Sequence, residues 1–397
     1  MTRLPRTLLS SLALGLAACA SETTLCATDH APETSDPSDP TDPTDPTDPT
    51  ATEPHDPTTL GFFRVSWLQV VEIPAYDEGR AIGPDDREAP LVADRDAWVR
   101  VMFDAPEGWT SAEVEARVTV TTDDGEATFT NAYVLDADSD LDLPDSGLLV
   151  HVPAERVTPD AEWRVDVRPA GAAEATHRFP ADGDAALGAV ETGPIRIHLV
   201  PYAVDGFVPD TSPAVLDGLA DAVFALYPTT GVELTVGEVR PFDTNDVGEV
   251  LVDVGIAQEE DGLPPGVYYY GMVSGVADRD AFEGSTGTSE DGGGGAPSRA
   301  YFAAGAAFGD DLSASTLTHE LGHLHGLEHA PCGDPSGVDP SFPNADGTTG
   351  TLGFDVRTGA FVAPDASDVM GYCQPRWIGS YHYAKLAEQV AAAQSWR

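Results

Sequence analysis

The stretch His319-Glu320-Leu321-Gly322-His323-Leu324-His325-Gly326-Leu327-Glu328-His329 holds four of the chain's ten histidines. Ser313, just upstream, is expected to cap a helix in which Leu317, Leu321 and Leu324 form the buried stripe. His319 and His323, at i and i+4, then share a different face, one turn apart, so both imidazoles can point at one metal ion. Glu320 follows the first histidine directly, where its carboxylate can lie over an open coordination position and polarise a water. Gly326 lets the helix end in left-handed backbone that a β-carbon would resist, and the returning chain can bring in His329 as a third nitrogen. His325, two residues from His323, points elsewhere and is read as a supporting or surface residue. His151, His177, His198 and His382 lack spaced partners and are read as structural.

Upstream of this stretch, from about 193, the pattern is mixed α and β. Ile195, Ile197 and Leu199 alternate as a strand, and Ser212-Pro213 opens a helix carrying Val215, Leu216, Leu219, Val223, Phe224 and Leu226 on one broad face. Val232, Leu234 and Val236 predict a second strand, Val250 to Val254 a third and Val267 to Val273 a fourth. A Gly-rich stretch from about 275 to 297 reads as a mobile loop. Between 59 and 192 the period is two: Val114, Ala116, Val118 and Val120 alternate with Glu113, Glu115, Arg117 and Thr119, and Trp163, Val165 and Val167 do the same. With Val99, Val101 and Phe103, this predicts a β-sandwich of about seven strands. The acidic run Asp136, Asp138, Asp140, Asp142, Asp145 is the one candidate for Ca2+. Leu141 stands where an EF-hand loop needs glycine and Gly147 where it needs its last glutamate, so the run reads as a solvated turn.

The N-terminus adds an address. Arg3 and Arg6 precede an apolar run, Leu8 to Ala18, too short to span a bilayer, so residues 1–18 read as an export signal. Its end, Leu16-Ala17-Ala18-Cys19, resembles the bacterial lipobox, which implies lipid attachment at Cys19 of the mature protein. The alternative is an ordinary cleaved signal with a chance cysteine. Residues 19–58, with repeated Thr-Asp-Pro triplets, have little apolar side chain to bury and read as an extended linker; residues 27–58 can reach roughly 100 Å at ~3.1 Å per residue. The chain is therefore expected to be exported, held at the cell envelope by lipid, at the outer membrane or cell surface, or else secreted, and to be a monomer. With 67 acidic against 20 basic residues among 397, the net charge of −47 excludes a nucleic-acid binder.

The histidine stretch matches His-Glu-x-x-His-x-x-Gly-x-x-His throughout and resembles the zinc motif of the metzincin metalloproteases. That clan also places a methionine in a tight turn below the metal, and Asp368-Val369-Met370-Gly371-Tyr372 follows downstream. The resemblance implies His319, His323 and His329 as Zn2+ ligands, Glu320 as general base and acid, Met370 as the floor of the site, and Tyr372 as a fifth ligand or oxyanion donor. After the N-terminal all-β sandwich read from the alternation, it implies an α/β (α+β) metzincin-like catalytic domain over 193–397, with a mixed sheet and a zinc-binding helix. It also implies that residues 298–304 form the edge strand on which an extended peptide substrate lies.

If Cys19 carries lipid, Cys26, Cys332 and Cys373 remain, and the last two lie three residues past each active-site element. A Cys332–Cys373 disulfide would tie the two motifs together for roughly 4 kcal/mol by loop entropy. Free thiols or additional metal ligands are the alternatives. The expected function is zinc-dependent hydrolysis of protein or peptide substrates. A surface-binding lipoprotein that keeps the zinc fold without turnover is the rival, and a hydrolase of non-peptide amides is a third reading.

Overall fold

The structure is a computed structural model that describes residues 59–290 and 301–394, all within one compact unit, Pro49–Arg397. The expected signal 1–18 and the whole linker 19–58, with Cys19 and Cys26, lie outside the described residues. Among the described residues no helix is long and apolar enough to cross a membrane.

Among the described residues the fold is β-rich, with several sheets and four α-helices. Ten strands precede residue 190: β1 (Gly61–Leu68), β2 (Glu72–Asp77), β3 (Arg80–Ala81), β4 (Ala97–Asp104), β5 (Ala112–Thr122), β6 (Gly125–Leu135), β7 (Leu148–Val152), β8 (Glu162–Pro169), β9 (His177–Phe179) and β10 (Ala185–Ala186). They form two sheets, β3-β2-β1-β4-β7 and β10-β8-β5-β6, with β9 added to β8. The alternation drives this. Val114, Ala116, Val118 and Val120 of β5 are fully buried and sit opposite Val165, Val167 and Trp163 of β8. Trp163 in turn meets Trp67 of β1 edge-on, with ring centroids 4.9 Å apart, which joins the inner faces of the two sheets. Within the acidic run, the Asp138 carboxylate accepts from the Ala105 amide and the Asp140 carboxylate from the Asp142 amide, and the segment contributes no clustered metal-ligating set among the described residues.

Beyond residue 190 a sheet runs in the order β12 (Val232–Val236), β11 (Ile195–Ala203), β14 (Val267–Val273), β16 (Phe302–Ala306), β15 (Gly287–Ser289), with β13 (Arg240–Pro241) also on β11. All pairs are parallel except β15 against β16. Alternate residues serve the two faces. Ile195, Ile197 and Leu199 share a core with α1 (Pro213–Leu226) and α3 (Asp311–Leu324), while Val200, Tyr202 and Val204 share one with α2 (Val247–Glu260). A fourth helix, α4 (Ser380–Ala393), closes the chain.

Three expectations change here. Val250 to Val254 is helix, not strand: Asp246 caps α2 through its carboxylate to the Gly248 and Glu249 amides, and Val247, Val250, Val254 and Ala257 are buried while Val252 is 65% exposed. That spacing of three and four is a helical face that the valine-rich composition masked. The expected edge strand 298–304 falls partly outside the described residues, and its described part is not at an edge. Of the described part, Phe302–Ala306 is β16, hydrogen-bonded on both sides, and the edge is β15, inside the stretch read as a mobile loop. Gly287 and Ser289 carry little strand propensity and Thr288 stands alone, so their pairing comes from the open side of β16. The N-cap of α3 is Asp310, which accepts from the Ser313 amide at 2.9 Å; Ser313 itself is the third helical residue, and Arg279 clamps the Asp310 carboxylate.

The strand-rich first half is bonded to elements of the second half. Arg95, 2% exposed, donates to the carbonyls of Phe224, Tyr227 and Thr229 at 2.7, 2.6 and 2.9 Å, and its guanidinium lies over the Phe224 ring. It thus satisfies acceptors at the C-terminal end of α1 that the helix leaves open. Val70 accepts from the Trp377 indole at 2.8 Å and from the Phe354 amide at 2.9 Å.

Candidate metal centre and active site

Helix α3 presents His319 and His323 from one face, as their i, i+4 spacing requires, while Leu317, Leu321 and Leu324 are buried on another. Gly326 has φ +77°, the left-handed turn that stops the helix, and the chain comes back so that His329 joins the pair. Ligand-type atoms of the three histidines all lie within 4.8 Å of one another, the one cluster of its kind among the described residues.

The second nitrogens decide what this cluster can hold. His319 Nδ1 bonds the Val369 carbonyl at 2.9 Å, His323 Nδ1 the Leu327 carbonyl at 2.8 Å, and His329 Nδ1 the Ser336 carbonyl at 2.6 Å. A carbonyl only accepts, so each Nδ1 carries the proton and each Nε2 of a neutral ring presents a lone pair. The Nε2 atoms of His323 and His329 are 3.1 Å apart. Two facing lone pairs at that separation need a cation between or beside them. Two ligands ~2.0–2.1 Å from one tetrahedral ion lie about 3.3–3.4 Å apart, so the donor set fits a metal ion with little movement. Burial, reinforced by the other two histidines and opposed by the Val369 bond, pushes His319 down to about 3, which keeps it in the neutral, ligand-competent form.

Glu320, 6% exposed, lies beneath β15, where a β-carbon on Gly287 would collide with its carboxylate oxygen. Burial raises its pKa to about 7, with a side-chain hydrogen bond to Ser289 acting the other way. Met370, fully buried, packs its sulfur where a side chain on Gly322 would go, between the two helical histidines. Its amide is held by Asp368, whose carboxylate also accepts from His382 Nδ1 at 2.7 Å and from the Gly379 amide. Asp368 and His382 have no exposed side-chain surface, so this pair anchors the turn whose Val369 carbonyl orients His319. Tyr372 is 47% exposed and its hydroxyl lies 3.2 Å from His329 Nε2. Cys332 and Cys373 are joined in a disulfide, and the Cys332 carbonyl accepts from the Tyr372 amide at 2.8 Å. His325 is not a surface residue: it is buried between Tyr268, 2.9 Å from its Nε2, and the Leu321 carbonyl, and burial lowers it to about 4.

These groups line a cleft of about 600 Å3 between β15 on one side and Gly326 to His329 with Ser336 and Gly337 on the other. A second lobe of about 400 Å3 continues past Glu320 and Tyr372 to Gly284, Ser285, Thr286, Thr316 and Arg376. Sequence reasoning missed β15, Ser336 and Arg376. No motif marks them, and they meet the histidines only through the fold.

Comparison with curated proteins gives no match. Among solved structures, a putative beta-galactosidase from Bacteroides fragilis aligns at 11% identity over 57% of this chain and 55% of that one. The chain thus spans about half the length of that structure, and at a TM-score of 0.16 the likeness carries no argument. Residues 278–376 match the Peptidase M66 family model, and this segment, from the clamp on Asp310 through all three histidines, Glu320, Met370 and Tyr372 to Arg376, supports a metalloprotease family for the chain.

Proposed function

We propose that the chain is an exported zinc endopeptidase of metzincin type, with His319, His323 and His329 as the ligands. One observation carries the reading: three imidazoles with converging Nε2 atoms stand beside a buried carboxylate under an open strand edge. The match to a peptidase family over the same residues points to peptides as the substrate class. Zinc bound there supplies a Lewis acid for the scissile carbonyl and brings water within reach of a base at neutral pH.

Around that ion the chain's own residues have separable tasks. Glu320, held near neutrality by burial, takes a proton from the attacking water and delivers it to the leaving amine. Tyr372, with its hydroxyl beside the ligating edge of His329, donates to the developing oxyanion. Strand β15 binds the substrate main chain. The 286–306 and 290–302 contacts pair alternate β15 residues with β16, which turns the amides and carbonyls of Gly287 and Ser289 toward the cleft. Gly287 lies directly over Glu320, so a peptide added there passes across the base.

The proposal includes the address: Cys19 as the lipidated first residue and the Thr-Asp-Pro linker as a stalk. Mass spectrometry of the mature N-terminus tests it, and an unmodified start elsewhere removes the anchor while leaving the enzyme intact. The enzyme itself is tested by metal analysis and cleavage of an unbiased peptide library. One zinc per chain, loss of cutting with chelator and return with zinc are expected. A zinc-loaded protein that cuts no peptide contradicts the reading.

A further inference from the structure

The second lobe of the cleft contains a cation without a counter-charge. Arg376 is the one basic side chain besides histidine lining either lobe. Its Nε–H goes to the Cys373 carbonyl at 3.1 Å and its Nη1 to the Ser315 hydroxyl at 2.8 Å. A guanidinium has five N–H donors, so three remain after these two bonds. Among the described residues Arg376 belongs to no ion pair; Arg87, Arg95 and Arg156 also lack one, but they bond backbone carbonyls and do not line the cleft, while Arg64, Arg164, Arg168, Arg240, Arg279 and Arg357 each hold a carboxylate. In a chain with 67 acidic residues that omission leaves a half-buried positive charge facing the cleft.

Arg376 is also fixed in place. Its backbone pairs with Ser367 beside the methionine turn, three residues past the disulfide at Cys373, and the two side-chain bonds pin the guanidinium to α3 and to the turn. A peptide lying antiparallel on β15 runs from Ser289 toward Thr286, Ser285 and Gly284. The residues that follow the scissile bond over Glu320 therefore enter the Arg376 lobe.

We infer that Arg376 is a specificity-determining residue that binds a substrate carboxylate one or two residues to the C-terminal side of the cleaved bond. This rests on the peptidase reading above. A planar guanidinium with donors to spare matches a carboxylate, and the remaining lining groups, Ser285, Thr286 and Thr316, offer hydroxyls and no competing acid except Glu320. The carboxylate can belong to an Asp or Glu side chain or to the chain terminus; the lobe's continuity with the rest of the cleft favours the side chain.

The test uses zinc-loaded protein and peptides that carry Glu, Gln or Lys at one of the two positions before or after the cut, each made blocked at both ends and with a free C-terminal carboxylate. Wild type is expected to favour Glu in kcat/KM by about 10- to 100-fold, the discrimination of a charge-assisted hydrogen bond in a partly dry site. Arg376→Gln should bring the ratio near one, and Arg376→Glu should favour Lys at the same position. Because the ratio is taken within one protein, a folding or metal-loading loss cancels. The same peptides are titrated by fluorescence anisotropy onto Glu320→Ala, which needs no turnover. Tighter binding of the Glu peptide there, lost on adding Arg376→Gln, supports the contact even if the peptidase reading fails. A wild-type ratio near one in both assays, a ratio unchanged by Arg376→Gln, or an acid preference only before the cut overturns it. A gain confined to peptides with a free C-terminal carboxylate keeps the Arg376 contact and overturns its assignment to a side chain.

Discussion

Arg95→Met is expected to loosen the join between the sandwich and the histidine-bearing half of the fold. The substitution keeps the apolar stem of the side chain and removes three donors from the carbonyls of Phe224, Tyr227 and Thr229. Hydrogen bonds to a charged group contribute about 1.5–3 kcal/mol each, but burying a guanidinium costs several, as the downward shift of its pKa by desolvation reflects. With the charge gone and the carbonyls left short of donors, a net loss of about 3 kcal/mol follows, or a fall in Tm of about 4 °C for a unit of this size. The effect should travel. Tyr227, whose carbonyl Arg95 holds, donates its hydroxyl at 2.6 Å to the Thr318 carbonyl, one residue before His319. Calorimetry should therefore show the lower Tm, and a competition titration should show weaker metal binding by the folded variant. A Tm within 1 °C of wild type would refute the reasoning, because it would mean that water replaces the guanidinium without cost.

Three further outcomes are expected. Asp310→Ala removes the cap of α3 and should cost about 1–2 kcal/mol at neutral pH, little of it from the ion pair, since that carboxylate is 41% exposed. The Arg279 hydrogen bonds hold Asp310 well below its ordinary value, so its contribution is complete above about pH 4 and fades as pH falls below that; stability curves of the two proteins should converge on acidification, and a constant gap would refute the cap's role. Replacing Cys332 and Cys373 together by serine should cost about 4 kcal/mol for a 41-residue loop, and reductant should lower the Tm of wild type but not of the variant; a wild type indifferent to reductant contradicts this. Tyr372→Phe should lower kcat about 10²-fold with KM little changed if the hydroxyl serves the oxyanion, and full activity would reduce the ring to packing.

The histidine motif was legible because its chemistry is local: i, i+4 spacing, a glycine stop and a returning third histidine are geometric statements about eleven residues. The β-rich, multi-sheet character of residues before 190 was legible because β5 and β8 alternate cleanly, although the three shortest strands there carry no pattern of their own. Val250 to Val254 misled because valine favours strands while the burial of Val247, Val250, Val254 and Ala257 follows a helix. Strand β15 was hidden by its Gly, Thr and Ser composition. Asp368, His382, Ser336 and Arg376 were invisible as site residues because each acts through contacts that only the folded chain supplies. His382, rightly read as structural, holds Asp368 from 14 positions away.

The central claim is that Glu320 moves the proton while the three histidines hold the metal, and Glu320→Ala separates the two. Zinc content and cleavage of a broad peptide library should be measured on wild type and variant, each with and without chelator. The account predicts close to one zinc per chain in both proteins and a fall in cleavage of roughly 10²- to 10⁴-fold in the variant, the usual contribution of general acid–base catalysis. A variant that binds zinc and cuts as fast as wild type would contradict it.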